Sequence, residues 1–284
     1  MTQSPMLLPQ QVVSSNMAAG KTKTRLSLLR MILLGILAGM FIACGASASS
    51  VAMHAIGNVG LARLVAGCVF PIGLMMIIFV GGELFTGDCL MIMGCLQGRY
   101  SALSMIKVLV VVFFSNFAGA ALFAAMISVS TQYDYTGGLL GAFTIKVAMG
   151  KVGMSFGAAF ISGILCNVFV CVAVLMSVAA KDIGGKVWAI FFPIMAFVVS
   201  GYEHCVANMY YIPAGIFAAA NERYAQVAME TYGYTAAQLE ALNFSNMCIA
   251  NLLPVTLGNI VGGMVFVGLP LYLIHSAGIR AEET

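Results

Sequence analysis

Six long apolar blocks, at about residues 26–48, 62–96, 104–129, 155–180, 187–217 and 246–274, divide the chain, with polar residues gathered between them. A helix needs ~20 residues to cross ~30 Å of hydrocarbon, so each block predicts a membrane span. The second and fifth blocks are too long for one simple crossing, and a similar polar pattern interrupts both. The first interruption reads Gly81-Gly82-Glu83-Leu84-Phe85-Thr86-Gly87-Asp88-Cys89, the second Gly201-Tyr202-Glu203-His204-Cys205-Val206-Ala207-Asn208-Met209. A carboxylate at bilayer depth costs ~3 kcal/mol or more, so Glu83 and Glu203 must face protein or an aqueous path. Paired broken helices in corresponding halves point to a permeation site near the midplane.

The echo extends beyond the breaks. Gly35-Ile36-Leu37 in span one returns as Gly163-Ile164-Leu165 in span four, and Asn116-Phe117-Ala118-Gly119 in span three parallels Asn259-Ile260-Val261-Gly262 in span six. Spans one to three therefore repeat as spans four to six. An odd number of crossings per unit turns the second unit upside down, which gives an inverted repeat. Backbone groups freed at each break are tolerated only inside protein or beside water. Glu83 and Glu203 are expected to hydrogen-bond the freed N–H groups of the opposing break, with Asp88 and Asn208 in matching structural positions. Gly87 and the Gly81-Gly82 pair ease the first turn.

Departures from the repeat mark the candidate chemistry. Aligning the breaks sets His204 against Leu84 and Thr86 against Val206; aligning spans one and four sets Asn167 against Gly39. His204 titrates near physiological pH in its ordinary state, which makes it the leading intramembrane candidate. Lys151 opens span four in this reading. A continuous helix would hold it ~24 Å from Asn167, at a pore mouth where it attracts anions.

Composition agrees with a polytopic all-α membrane protein: 61% of residues are hydrophobic and 8% charged, far too little polar surface for a soluble domain. With the N-terminus inside, Lys21, Lys23, Arg25, Arg30, Arg99, Lys107, Lys181, Lys186 and Arg280 lie on the cytoplasmic side, and Arg63, Lys146, Lys151 and Arg223 outside. That bias predicts cytoplasmic termini. The charge thus reports topology, and no nucleic-acid partner is indicated. The expected division is a cytoplasmic tail over 1–25, its first twenty residues flexible, a channel domain over 26–276 with halves at about 26–130 and 155–276, and a cytoplasmic tail over 277–284. Eight cysteines without a CxxC and three dispersed histidines indicate no metal, cofactor or disulfide framework.

At Gly82-Glu83-Leu84-Phe85-Thr86-Gly87, at Gly201 through Met209 and at Asn251-Leu252-Leu253-Pro254-Val255-Thr256-Leu257-Gly258-Asn259, the chain resembles the formate/nitrite transporter family of small-anion channels. The resemblance spans residues 15–278. It implies an aquaporin-like protomer with its own pore, a homopentamer, a prokaryotic cytoplasmic (inner) membrane setting, and formate as the foremost substrate, with nitrite or hydrosulfide as the alternative. It also implies Thr86 on a mobile loop, His204 and Asn167 as a central polar pair, and Lys151 in an outer vestibule. Leu74, Phe85 and Phe197 match one constriction, Phe70 and Val170 the other. Asp88, Cys205 and Tyr202 depart from the family's commoner residues.

A bare anion meets an idealised desolvation barrier of tens of kcal/mol between apolar constrictions. Forming a neutral acid of pKa ~4 at pH 7 costs only about 4 kcal/mol. The expected cycle is therefore capture at Lys151, hydrogen bonding by Thr86 and Asn167, protonation through His204, and release with the proton on the far side. A neutral-solute channel of aquaporin type is disfavoured because neither break contains Asn-Pro-Ala. A membrane enzyme or redox subunit lacks the paired acids or paired intramembrane histidines it needs.

Overall fold

The computed structural model describes residues 4–283; the tips of the two expected tails, residues 1–3 and 284, lie outside the described residues. Six helices are long and apolar enough to span a membrane, in the expected order. After α1 (Pro9–Thr24) come α2 (Leu28–Met53), α3 (Val59–Val80), α4 (Phe85–Leu96) and α5 (Ala102–Ser128). The second half contains α6 (Leu139–Val152), α7 (Phe156–Ala179), α8 (Ile183–Ser200), α9 (Cys205–Ala219), α10 (Glu222–Tyr232) and α11 (Phe244–Ser276). Spans two and five are each two pieces, α3 with α4 and α8 with α9. The breaks fall at the two glycine-glutamate segments, and Gly81 and Gly201 enter them at φ of 108° and 75°, values an L side chain resists.

The inverted repeat is visible in the packing. Span one runs along span three, and span four along span six. Approach is close enough that a Cβ at Gly119 would strike the Ile36 carbonyl and one at Gly258 the Phe160 carbonyl. Small residues at such crossings bring backbones together where the hydrophobic effect supplies no drive. Serine opens three spans: Ser27, Ser101 and Ser155 each accept an N–H from the first turn of α2, α5 and α7, satisfying a donor that the helix leaves free. In α11, wide π-helical turns at Met247–Leu252 and Gly262–Gly268 flank the regular segment containing Asn259.

Two sequence expectations change. The flexible tail expected over residues 1–20 is instead largely helical from Pro9. Val12, Val13 and Met17 of α1 are buried in a cluster with Leu90, Met93, Leu175 and Val267. Lys151 does not open span four; it ends α6, and span four begins anew at Phe156 after a turn capped by Ser155. The ~24 Å spacing from Asn167 therefore does not describe its position.

The helix spacing can be tested at Gly119. Gly119→Val should destabilise by about 1–3 kcal/mol, the usual penalty for overpacking, seen as a lower unfolding midpoint in detergent. An unchanged midpoint would mean that spans one and three stand farther apart.

Candidate functional site

The two breaks are held open by asparagine. Phe85 N–H donates to Asn116 Oδ1 at 3.0 Å, while Asn116 Nδ2 donates to the Gly35 and Glu83 carbonyls, both at 2.8 Å. In the other half Cys205 N–H donates to Asn259 Oδ1 at 2.9 Å, and Asn259 Nδ2 donates to the Gly163 and Glu203 carbonyls at 2.7 and 3.0 Å. All four groups at the hearts of these networks are buried: Asn116, Asn259, Phe85 and Cys205. This corrects the sequence expectation for Glu83 and Glu203, whose carboxylates do not cap the opposing break. A carboxylate only accepts, whereas a break frees both N–H and C=O; an amide satisfies both.

Between the breaks His204 and Thr86 meet, with Nε2 and Oγ1 2.9 Å apart. His204 is the N-cap of α9, and its Nδ1 accepts the Ala207 N–H at 3.1 Å. An accepting Nδ1 carries no proton, so the neutral ring's hydrogen sits on Nε2 and is donated to Thr86. The Thr86 hydroxyl hydrogen is left for another acceptor. Asn167 stands beside this pair, but its Nδ2 donates to the backbone carbonyls of Thr86 and Asn259 at 3.2 and 2.6 Å. Its amide thus pins the Thr86 loop to span six, and its donors are already engaged.

Apolar residues close both sides of the pair. Phe197 stacks on the His204 ring at 6.1 Å and meets Phe70 edge to face at 5.6 Å. That contact overturns the assignment of Phe70 and Phe197 to opposite constrictions. They form one ring pair, because α3 and α8 lie side by side. On the other side Leu74 and Leu84 line a narrow cavity of about 70 Å³ with Lys23, Gly87 and Asp88. Phe85 packs edge-on against Phe113 at 5.1 Å, and Val170 is buried.

Each side ends in a lysine–glutamate pair. Lys151 Nζ lies 2.9 and 3.1 Å from the Glu203 carboxylate oxygens and 5.1 Å from the centre of the Tyr211 ring. Asn208 Nδ2 donates to Glu203 Oε2 at 2.6 Å and to Asn251 Oδ1 at 2.7 Å, and Asn251 Nδ2 donates to the Lys151 carbonyl at 3.0 Å. Lys151, expected from the sequence to attract anions at a pore mouth, is therefore a cation already paired with Glu203. At the α1 end Lys23 reaches Glu83 at 2.6 Å and Asp88 at 2.5 Å. Burial works to lower the Lys23 pKa, but the Asp88 and Glu83 carboxylates outweigh it and hold the ammonium above the usual lysine range.

Sequence reasoning had Asn116, Asn259 and Asn251 only as marks of the repeat or of the resemblance and missed their part in the site, and it missed Lys23 there as well. Its signal was present: Lys23 stands as far before Ser27 and α2 as Lys151 stands before Ser155 and α7. The repeat thus continues through the lysines, while Asp88 faces Lys23 where the second half has the uncharged Asn208.

Two outcomes test this architecture. Asn259→Ala should destabilise by about 1–3 kcal/mol through the stranded Cys205 N–H, read from thermal unfolding; loss-free folding would sink the capping role. Lys151→Met should lose about 3–5 kcal/mol by leaving the Glu203 charge buried alone, and Lys151→Met with Glu203→Gln should recover much of it. A double variant no better than the single one would show that the pair is not coupled.

The family model described as Formate/nitrite transporter matches residues 10–273. The formate channel FocA of Haemophilus influenzae is 40% identical over 213 residues, covering 74% of this chain and 73% of that protein. The formate channel FocA of Escherichia coli (strain K12) is 34% identical over 275 residues, 95% of each. A solved pentameric formate channel with formate bound is similar in structure at a TM-score of 0.77 and 34% identity, covering 87% of this chain and 97% of that one. These relatives are channels rather than enzymes. With matching spans, paired broken helices and a match over nearly its whole length, this chain belongs to the formate/nitrite transporter family.

Proposed function

We propose that the chain conducts formate as its preferred small monovalent weak-acid anion, through a pore within each protomer of a homopentamer. The observation that carries this reading is the isolated Thr86–His204 hydrogen bond between apolar closures, Phe70 with Phe197 on one side and Leu74 with Leu84 on the other. Such a centre offers one hydroxyl donor and little else, which suits a solute of very few polar atoms. The relatives named formate channel and the pentameric solved neighbour support the substrate and the assembly. The excess of Lys and Arg in the loops assigned inside supports a cytoplasmic membrane location with both termini inside.

Passage is coupled to a proton. The desolvation barrier to a bare anion dwarfs the ~4 kcal/mol needed to protonate it at pH 7. The hydrogen bond from Ala207 N–H to His204 Nδ1 favours a neutral imidazole, so here the ring orients Thr86 and does not hand over a proton of its own. The anion takes its proton from water in the vestibule, where the lysine of the Lys–Glu pair stabilises it before dehydration. It crosses as the neutral acid with the Thr86 hydroxyl donating to it. On the far side the acid releases the proton to water, and the pathway is bidirectional. Asn167 and the asparagine caps keep Thr86 in place. Residues 1–25 and 277–284 flank this channel unit of 26–276 on the cytoplasmic side.

Labelled formate, nitrite and hydrosulfide uptake into proteoliposomes at two pH values tests the reading. Formate uptake should rise about tenfold per unit fall in pH, following the neutral fraction. Thr86→Val, which keeps the shape and removes the hydroxyl, should reduce it at least ~10-fold, the loss of about 1.4 kcal/mol. Flux indifferent to pH would end proton coupling, and nitrite or hydrosulfide flux far above formate would reassign the substrate.

A further inference from the structure

Arg63 stands in the second turn of α3, seven residues before Phe70. Two helical turns put both residues on one face, about 10 Å apart along the axis. That face lies against α8. Phe70 meets Phe197 there, a Cβ at Gly67 would strike Val199 and the Met195 carbonyl, and one at Gly201 would strike the Arg63 guanidinium. These contacts climb α8 as they descend α3, so the two helices are antiparallel. Arg63 therefore lies beyond the aromatic pair, at the end of α8 where the second break begins. Phe70 and Phe197 are buried, whereas Arg63 is exposed.

The guanidinium rests over backbone because Gly201 has no side chain to exclude it. Among the described residues, no hydrogen bond or ion pair holds it. Glu203, two residues beyond Gly201, already receives Lys151 and Asn208. Lys151 is thus tied to an acid of the protein, while Arg63 keeps its five N–H donors for a solute.

The geometry points to Arg63 as the residue on which the permeant anion docks before it loses its water, and as a determinant of which anion is taken. A guanidinium presents a planar fork that two oxygens of one carboxylate engage together, whereas an anion with a single acceptor atom meets only a point charge. The inference rests on the proposed passage of formate and gives that path a selective first contact. It favours planar anions with two oxygens, formate and nitrite, over hydrosulfide. Arginine keeps its charge throughout the working pH range, so docking is separate from the proton-dependent step that follows.

The test is equilibrium exchange of labelled formate, nitrite or hydrosulfide in proteoliposomes of the full-length protein, corrected for protein-free vesicles. Equal concentrations on both sides present the Arg63 end to solute in either orientation. Arg63→Lys keeps the charge and loses the fork. It should raise the half-saturating concentration of formate and nitrite roughly tenfold and leave that of hydrosulfide within about twofold. Maximal rate should change little, because the lost contact precedes the barrier. Arg63→Gln should raise all three, formate and nitrite most. The rise of formate uptake with falling pH should be the same in both variants as in the parent. Lys146→Gln removes an exposed cation that lies 4.6 Å from the centre of the Tyr232 ring; it should change nothing and controls for general charge loss.

A cation beside a helix C-terminus can also serve stability alone. Arg63→Lys would then handle every anion as the parent does while Arg63→Gln lowered only the unfolding midpoint, and the proposal would be overturned. An equal shift for all three anions in Arg63→Lys, or a matching shift from Lys146→Gln, would overturn it too. If Arg63→Gln folds poorly, Arg63→Lys decides alone. A parent protein that exchanges neither formate nor nitrite would end the transport reading and this inference with it. Normal pH-dependent formate exchange untouched by Arg63→Lys would end this inference only.

Discussion

Unpaired backbone inside an apolar protein is the constraint on which this structure rests. Four residues at Gly81–Leu84 and four at Gly201–His204 leave the helical ladder in the middle of a bundle that must sit in lipid. Their carbonyls and N–H groups cannot turn to bulk water, so neighbours must take them. Asn116 and Asn259 do so from spans three and six, and each reaches a glycine carbonyl of the packed span as well. That reach is possible only because small residues let the helices touch. Breaks, caps and glycine crossings are therefore one device used twice.

Around this symmetric frame the chemistry is asymmetric. His204 and Thr86 come from opposite breaks and meet only because the two halves interlock. Asn167, which replaces a glycine of the first half, ties the Thr86 loop to span six. The ion pairs around this centre repeat the symmetry, with a lysine outside each break holding the break's own glutamate. Those ion pairs flank the Thr86–His204 pair and leave no uncompensated charge on either lysine.

Much of this was legible before the structure. Span number, the two breaks and the three-plus-three repeat follow from where apolar runs stop, because lipid enforces that pattern strictly. His204, Thr86 and Asn167 emerged as departures from the repeat, and the structure brings all three together. What sequence could not resolve was the direction of side chains. Glu83 and Glu203 were visible as buried acids, but their partners, Lys23 and Lys151, lie on helices α1 and α6 that read as tail and span. Helix α1 is only weakly amphipathic along its sequence, and its apolar contacts come from distant residues such as Val267 and Ile279. The pairing of Phe70 with Phe197 likewise depends on how α3 and α8 lie together, which no single block of sequence records.

The inequality between the two ends has an electrical meaning. Lys23 faces two carboxylates, Glu83 and Asp88, while Lys151 faces Glu203 with the neutral amides of Asn208 and Asn251 around it. With all of these groups ionised, one entrance has a surplus negative charge and the other has none. In that charge state the two ends of a near-perfect two-fold are electrically unequal. For the proposed anion path the first step from each side would then differ, so a reversed gradient need not drive an equal current.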